Sequence, residues 1–180
     1  MKEELFQKIE IPEEVEVNID GDILNVKGKE GKVKRTFNIN NLIFEKKNNE
    51  IIIGSKNATK KEKKLMNTIV AHIKNMIRGV QQKFEYKLKV CFSHFPITVE
   101  INENEVVIKN FLGERIPRKL KILENVDVKV DREIITVSSI SKESAGQTAA
   151  NFETATRIRN KDKRIFQDGI FIINKSGKEI

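Results

Sequence analysis

The sequence predicts an α+β protein of two tandem, duplicated domains, each an antiparallel sheet packed against one helix. Three observations carry this. The second half echoes the first at an offset of about 83 residues. Each half opens with alternating apolar and polar residues, rich in Val and Ile and broken by polar turns, as half-buried antiparallel strands are. Each half then changes to the spacing of a helix.

The first copy begins near Ile11-Pro12 and the second near Phe95-Pro96. Val15-Glu16-Val17-Asn18-Ile19 matches Val99-Glu100-Ile101-Asn102, and both predict strands. A turn comes next at Asp20-Gly21-Asp22 and again at Asn102-Glu103-Asn104-Glu105. Alternation resumes in Ile23-Leu24-Asn25-Val26-Lys27 and in Val106-Val107-Ile108-Lys109. A glycine turn with basic residues succeeds it, around Gly28 to Arg35 and around Gly113 to Lys119. Phe37-Asn38-Ile39 and Leu120-Lys121-Ile122 continue the match. A further hairpin ends in Ile51-Ile52-Ile53 and in Ile134-Ile135-Thr136.

The first helix shows a stripe of Leu65, Ile69, Ile73 and Ile77, flanked by Met66, Val70 and Met76. Thr59 with Glu62 forms a capping-box pattern at its start, and Gly79 marks a stop. In the second helix Ser141 is the cap, and Ala145, Ala149, Phe152 and Ala155 share a face whose small residues allow close packing. Phe84-Glu85-Tyr86-Lys87-Leu88 reads as a strand that closes the first domain and leads into the second, and Gly169-Ile170-Phe171-Ile172-Ile173 as a last strand. The expected domains are 1–82 and 83–180, each with about four strands and one helix.

Composition narrows the function classes. Hydrophobic residues at 38% are too many for a disordered chain, and charged residues at 33% too many for a membrane protein. The first residues lack a signal-peptide pattern, so a cytoplasmic location is expected. The lone Cys91 cannot form an intramolecular disulfide and reads as a core thiol. One Cys with His72 and His94 is too few ligands for a closed zinc site. No phosphate-binding loop, dinucleotide fingerprint or nucleophile elbow is present. No enzyme activity, cofactor, metal or small-molecule substrate is therefore expected. His72 reads as a packing residue in the first helix, and His94 as a residue that orders its turn or touches a phosphate.

The net charge of +8 directs attention to anionic partners, RNA first. Both halves carry the same excess: 16 basic and 12 acidic residues in 1–82, and 18 and 14 in 83–180. Local density separates them. Lys56, Lys60, Lys61, Lys63 and Lys64 surround the start of the first helix, where cations oppose the helix dipole. A solvated helix end and an anion contact stay open as readings of that cluster. Arg115, Arg118, Lys119 and Lys121 come after Gly113 in a turn. The densest run is Arg157, Arg159, Lys161, Lys163 and Arg164, with Gln167, Asp168, Gly169 and, later, Lys175 and Lys178 beyond it. From 157 to 178 there are seven basic and two acidic residues. Arginine there suits bidentate phosphate contacts, and backbone donors around Gly169 add to them.

Several motifs in order resemble the sixth large-subunit ribosomal protein family (universal L-six), in its archaeal and eukaryotic branch. They begin with Ile11-Pro12, Val26-Lys27-Gly28, Thr68-Ile69 with His72-Ile73, and Asn75-Met76-Ile77-Arg78-Gly79-Val80. They continue with Phe84 and Tyr86-Lys87, His94-Phe95-Pro96-Ile97 and Lys109-Asn110-Phe111-Leu112-Gly113-Glu114. Asn160-Lys161-Asp162 with Arg164, Phe166 and Asp168-Gly169-Ile170 is the most specific. The Tyr-Lys-Gly-Lys-Gly type of motif of the bacterial branch is absent. The resemblance implies a structural protein of the large subunit that binds its rRNA, chiefly through the second domain, near the region used by translational GTPases and among neighbouring ribosomal proteins. Carried over by position, the RNA-facing candidates are the 113–119 turn (Gly113, Arg115, Arg118, Lys119) and the 157–169 segment. The alternative is a non-ribosomal RNA-binding or RNA-chaperone module, which shares the basic clusters and differs in not sedimenting with large subunits.

Overall fold

The computed structural model describes residues 3–39, 42–162 and 164–180. The chain divides into two compact units, Met1–Lys83 and Phe84–Ile180.

The first unit has six strands and a helix. They are β1 (Glu3–Glu10), β2 (Glu16–Asp20), β3 (Ile23–Gly28), β4 (Gly31–Thr36), β5 (Ile43–Lys47), β6 (Glu50–Ala58) and α1 (Lys60–Gln81). The strands form two antiparallel three-stranded sheets, ordered β1-β6-β5 and β2-β3-β4. Leu24, Val26, Ile51 and Ile53 point inward from alternate positions and are essentially fully buried. On α1 the buried face is Met66, Ile69, Val70, Ile73, Met76, Ile77, Gly79 and Val80; of the stripe expected from the sequence only Leu65 is left half-buried, and the face continues one turn further. The capping box is present: the Thr59 hydroxyl accepts from Lys61 N at 3.3 Å, and the Glu62 carboxylate accepts from Thr59 N at 2.9 Å.

Gly79 does not stop α1. It is buried on the inner face, and the helix runs on until Gln82 turns extended. Val80 lies so close to β3 that a Cβ on Gly28 would stand 2.8 Å from the Val80 carbonyl oxygen.

The second unit repeats the order and extends it. It holds β7 (Phe84–Cys91), β8 (Thr98–Asn102), β9 (Glu105–Lys109), a 3₁₀ turn (Phe111–Gly113), β10 (Arg118–Lys121), β11 (Val126–Asp131), β12 (Ile134–Ser139) and α2 (Lys142–Ala155). Then come β13 (Gly169–Lys175) and β14 (Lys178–Glu179). The sheets are β10-β9-β8 and β11-β12-β7-β13-β14, with every pairing antiparallel. α2 packs on β7, β12 and β13 and also touches β10. Ser141 caps it by accepting from Ser144 N at 3.2 Å. Ala145, Ala149 and Phe152 are fully buried, and Gly146 lets the Tyr86 hydroxyl approach to 3.3 Å from where a Cβ would be.

The duplicated α+β class stands, but the strand count exceeds about four per unit. β1 is hard to read in the sequence because its charged residues hide the alternation of Leu5, Gln7 and Ile9. β7 does not close the first repeat. It is the central strand of the second unit's five-stranded sheet, with Phe84, Tyr86, Leu88 and Val90 in the core and Glu85, Lys87 and Lys89 outside. Cys91, at its end, is half-buried rather than in the core. Among the described residues no helix is long and apolar enough to cross a membrane.

Candidate nucleic-acid interface

The turn after β9 is held by backbone conformation and one arginine. Asn110, Leu112 and Gly113 all take left-handed φ, at 57°, 50° and 74°. Glycine carries the largest of these without Cβ strain. The Phe95 ring lies 3.4 Å from where a Gly113 Cβ would be, an ordinary contact distance, so the backbone angle is what calls for glycine here. Arg118 then folds back. Its guanidinium lies 4.2 Å from the centroid of the buried Phe111 ring and donates to both Glu114 oxygens at 2.8 and 2.6 Å. It also donates to the Ala155 carbonyl at 2.7 Å, at the end of α2. The hydrogen bond from Arg118 holds the Glu114 carboxyl below its ordinary value. Arg118 thus ties the 113–118 turn to the exit of α2.

That exit is shaped by Thr156. Its hydroxyl donates to Phe152 O at 3.1 Å and accepts from Ile170 N at 3.0 Å, joining the helix end to the start of β13. Between them the chain makes an excursion. Asp162 accepts from Arg164 N at 2.9 Å, and its carbonyl takes the N–H groups of Ile165 and Phe166. Arg157, Arg159, Lys161 and Arg164 are left exposed on this excursion.

Its return is anchored by Asp168, whose side chain is 1% exposed. The carboxylate accepts from Ser93 N at 2.8 Å, His94 N at 3.1 Å, the Ser93 hydroxyl at 3.2 Å and His94 Nδ1 at 2.6 Å. A carboxylate only accepts, so Nδ1 carries the proton. Burial alone would push the Asp168 carboxyl up, but the four donors outweigh it and hold it far below the usual carboxylate range. The His94 ring then stacks on Phe166, centroids 4.9 Å apart, and Lys161 Nζ sits 4.4 Å from the same Phe166 ring. Ser93, His94 and Asp168 are not a hydrolytic triad. Hydroxyl and carboxylate both reach Nδ1, whereas nucleophile activation needs the hydroxyl at the opposite nitrogen.

The structure gathers part of the predicted set. Arg118, Arg157, Arg159 and Lys161 line one recess of about 430 Å³ together with Glu114. Two clusters about forty positions apart in the chain therefore form one basic surface. Arg115 is exposed beside it on the turn, and Lys119 points to Glu105, 3.8 Å away. Gln167 lines an adjoining cleft, outside the recess. Lys175 lies in the β13–β14 hairpin, also outside it. Asp168 and Gly169 are buried, so their place is to support this surface from within. Gly169 does not display its N–H as part of a loop; the residue opens β13 opposite Cys91. Lys163 lies outside the described residues. Sequence reasoning missed the supporting roles of Phe111 and Ser93, which hold the recess in shape, and of this group reached only His94. No group of described His, Cys, Asp and Glu residues is arranged to hold a metal.

The chain is thus a duplicated α+β protein whose second unit exposes an arginine-rich surface. The Ribosomal protein L6 family model matches residues 11–83 and again 95–169, once per repeat. The large ribosomal subunit protein uL6 of Staphylothermus marinus is 46% identical over 97% of each chain. That of Methanobrevibacter smithii is 45% identical over 94% of this chain and 95% of its own, and that of Methanosarcina mazei 43% over 98% and 100%. The chain belongs to the ribosomal protein L6 family. These relatives are named as proteins of the large ribosomal subunit, and none is named as an enzyme.

Proposed function

We propose that this chain is a structural constituent of the large ribosomal subunit in the cytoplasm and binds large-subunit rRNA through its second repeat, near the region where translational GTPases act. The observation that carries the RNA contact is the convergence of Arg118, Arg157, Arg159 and Lys161 on one recess, with Arg115 and Arg164 exposed on the turn and excursion that form it. Guanidinium groups held on a defined backbone suit phosphate oxygens, because their planar fork matches two acceptors at once. The placement beside translational GTPases rests on family resemblance.

The test is to replace Arg157, Arg159, Lys161 and Arg164 with Ala together. Incorporation into large subunits is measured on a sucrose gradient, and binding to a large-subunit rRNA transcript across a salt series. We expect poor incorporation and a flatter salt dependence, since each lost phosphate contact removes roughly 0.7–0.9 from the slope. Unchanged incorporation and slope would reject the site. A wild-type chain that stays at the top of the gradient would reject the ribosomal role in favour of a free RNA-binding module. For the factor region, photocrosslinkers at positions of the second repeat outside the recess, such as 103 and 175, in ribosomes carrying a trapped translational GTPase should capture that factor from at least one of them.

A further inference from the structure

The excursion has a second face. Adjoining the basic recess, with Arg157 and Ile158 common to both, lies a cleft of about 640 Å³, walled by the end of β7, the end of α2 and residues 165–171. Three large apolar side chains line it while exposed: Phe92 at 43%, Ile165 at 65% and Phe171 at 46%. Leaving such groups together in water is unfavourable and marks a place where something binds. The wall is built into the backbone. A Cβ on Gly169 would stand 3.0 Å from Phe171 Cζ, so the absent side chain is what lets the Phe171 ring lie back along the cleft. β13 has β7 on one side here, and on its other side the Ile170 and Ile172 N–H groups are taken by Thr156 and Glu153, so the cleft runs beside a strand edge already satisfied by the end of α2.

The charge around the cleft selects the occupant. Arg157 stands among its lining residues and Gln167 adds a side-chain amide. The two lining carboxylates are already engaged: Glu153 Oε1 accepts from Ile172 N at 3.0 Å, and Asp168 takes its four donors from Ser93 and His94. The cleft therefore offers apolar and aromatic walls with a cation among them and no carboxylate given over to a ligand. A flat, apolar group tethered to an anion fits that description, and an unpaired nucleotide is such a group. An aliphatic protein side chain would use the walls but not the cation that stands among them.

We propose that this cleft receives one unpaired base of the bound RNA, stacked against Phe171 and Ile165, with Arg157 on the adjoining phosphate. The proposal rests on the reading of this repeat as an RNA interface and deepens it: the recess grips backbone, and the cleft takes a base.

The experiment uses the full chain and a large-subunit rRNA transcript from one of the archaeal relatives. The double variant Ile165→Ser with Phe171→Thr removes exposed apolar surface only, and its thermal unfolding should match wild type within a few degrees. Its affinity should fall about ten- to a hundredfold with an unchanged salt slope, because stacking is lost while phosphate contacts stay. One unpaired base should be protected from dimethyl sulfate by wild type and regain reactivity with the variant, while backbone protection from hydroxyl radicals persists. Phe171→Trp should keep both affinity and base protection. Wild-type affinity and protection in the double variant would overturn the proposal, and impaired subunit assembly alongside them would give the cleft to a neighbouring protein. If wild type binds this transcript no better than an unrelated RNA of equal length, the interface reading itself fails.

Discussion

The two repeats share an order of elements but differ in the chain beyond the helix. In the first, α1 ends at Gln81, and after two residues the chain enters β7. In the second, α2 ends at Ala155, thirteen residues intervene before Gly169, and β13 then pairs with β7. The matching strand of the first repeat, β1, pairs with β6 and is the edge of its sheet among the described residues. The second repeat thus has two further strands, β13 and β14, and an excursion, and the excursion carries the exposed Arg157, Arg159, Lys161 and Arg164. Equal net charge in the two halves conceals this. The part without a counterpart thus supplies most of the exposed cations of the basic surface, and the duplicated turn adds Arg115 and Arg118.

The largest test of that contrast sets the two basic clusters against each other. Replacing Arg157, Arg159, Lys161 and Arg164 with Ala should weaken rRNA binding by about a hundredfold or more near physiological salt. Replacing Lys60, Lys61, Lys63 and Lys64 should cost less than about fivefold, since those lysines crown a helix already capped by Thr59 and Glu62. Equal losses in a filter-binding or anisotropy titration would break the comparison.

Asp168→Asn probes the anchor of the excursion. It leaves the buried donors of Ser93 and His94 with a weaker acceptor and should cost about 2 kcal/mol in unfolding free energy. The sign of its pH dependence comes from the depressed carboxyl. A group held ionised in the folded state stabilises above its unfolded value, about 4, and that stabilisation is lost as pH falls below it. The difference in melting temperature between wild type and Asp168→Asn should therefore narrow between about pH 7 and pH 3. A constant difference would show that the carboxylate charge is not what holds the turn.

Arg118→Lys should cost about 1 kcal/mol, because an ammonium cannot lie flat on Phe111 while donating to Glu114 and to the Ala155 carbonyl. Denaturant unfolding measures it, and a neutral result would leave the turn tied to α2 by other contacts. Smallest of all, Thr59→Ala and Ser141→Ala should each cost about 1 kcal/mol or less. Similar values would sharpen the view that the two helices are equivalent parts of one duplicated unit; a large disparity would weaken it.

Much of the scaffold was legible because it rests on local periodicity. The α1 stripe, the Thr59 and Ser141 caps, the paired hairpins and the last strand at Gly169 all come from spacing and side-chain type. The illegible parts depend on tertiary neighbours. Charged positions hide β1, and Gly79 reads as a stop until its inward face is seen. β7 reads as the end of one repeat because a sequence does not show which strands will pair with it. The site divided in the same way. Arg157, Arg159, Lys161 and Arg164 stand out as a basic run. Asp168 and Gly169 share that run but turn inward, a distinction of burial rather than of residue type.

The amino-acid sequence by itself determined the duplication, the α+β class, the family and the location of the dense basic segment, because repeats, periodicity and charge density are properties of the chain in order. Only the tertiary structure decided which parts meet. Arg118 reaches the end of α2, Asp168 gathers Ser93 and His94 from over seventy positions away, and the two basic clusters share a recess while an apolar cleft adjoins it. The physical reason is that such contacts depend on the path of the backbone through space, which the packing of the whole domain sets.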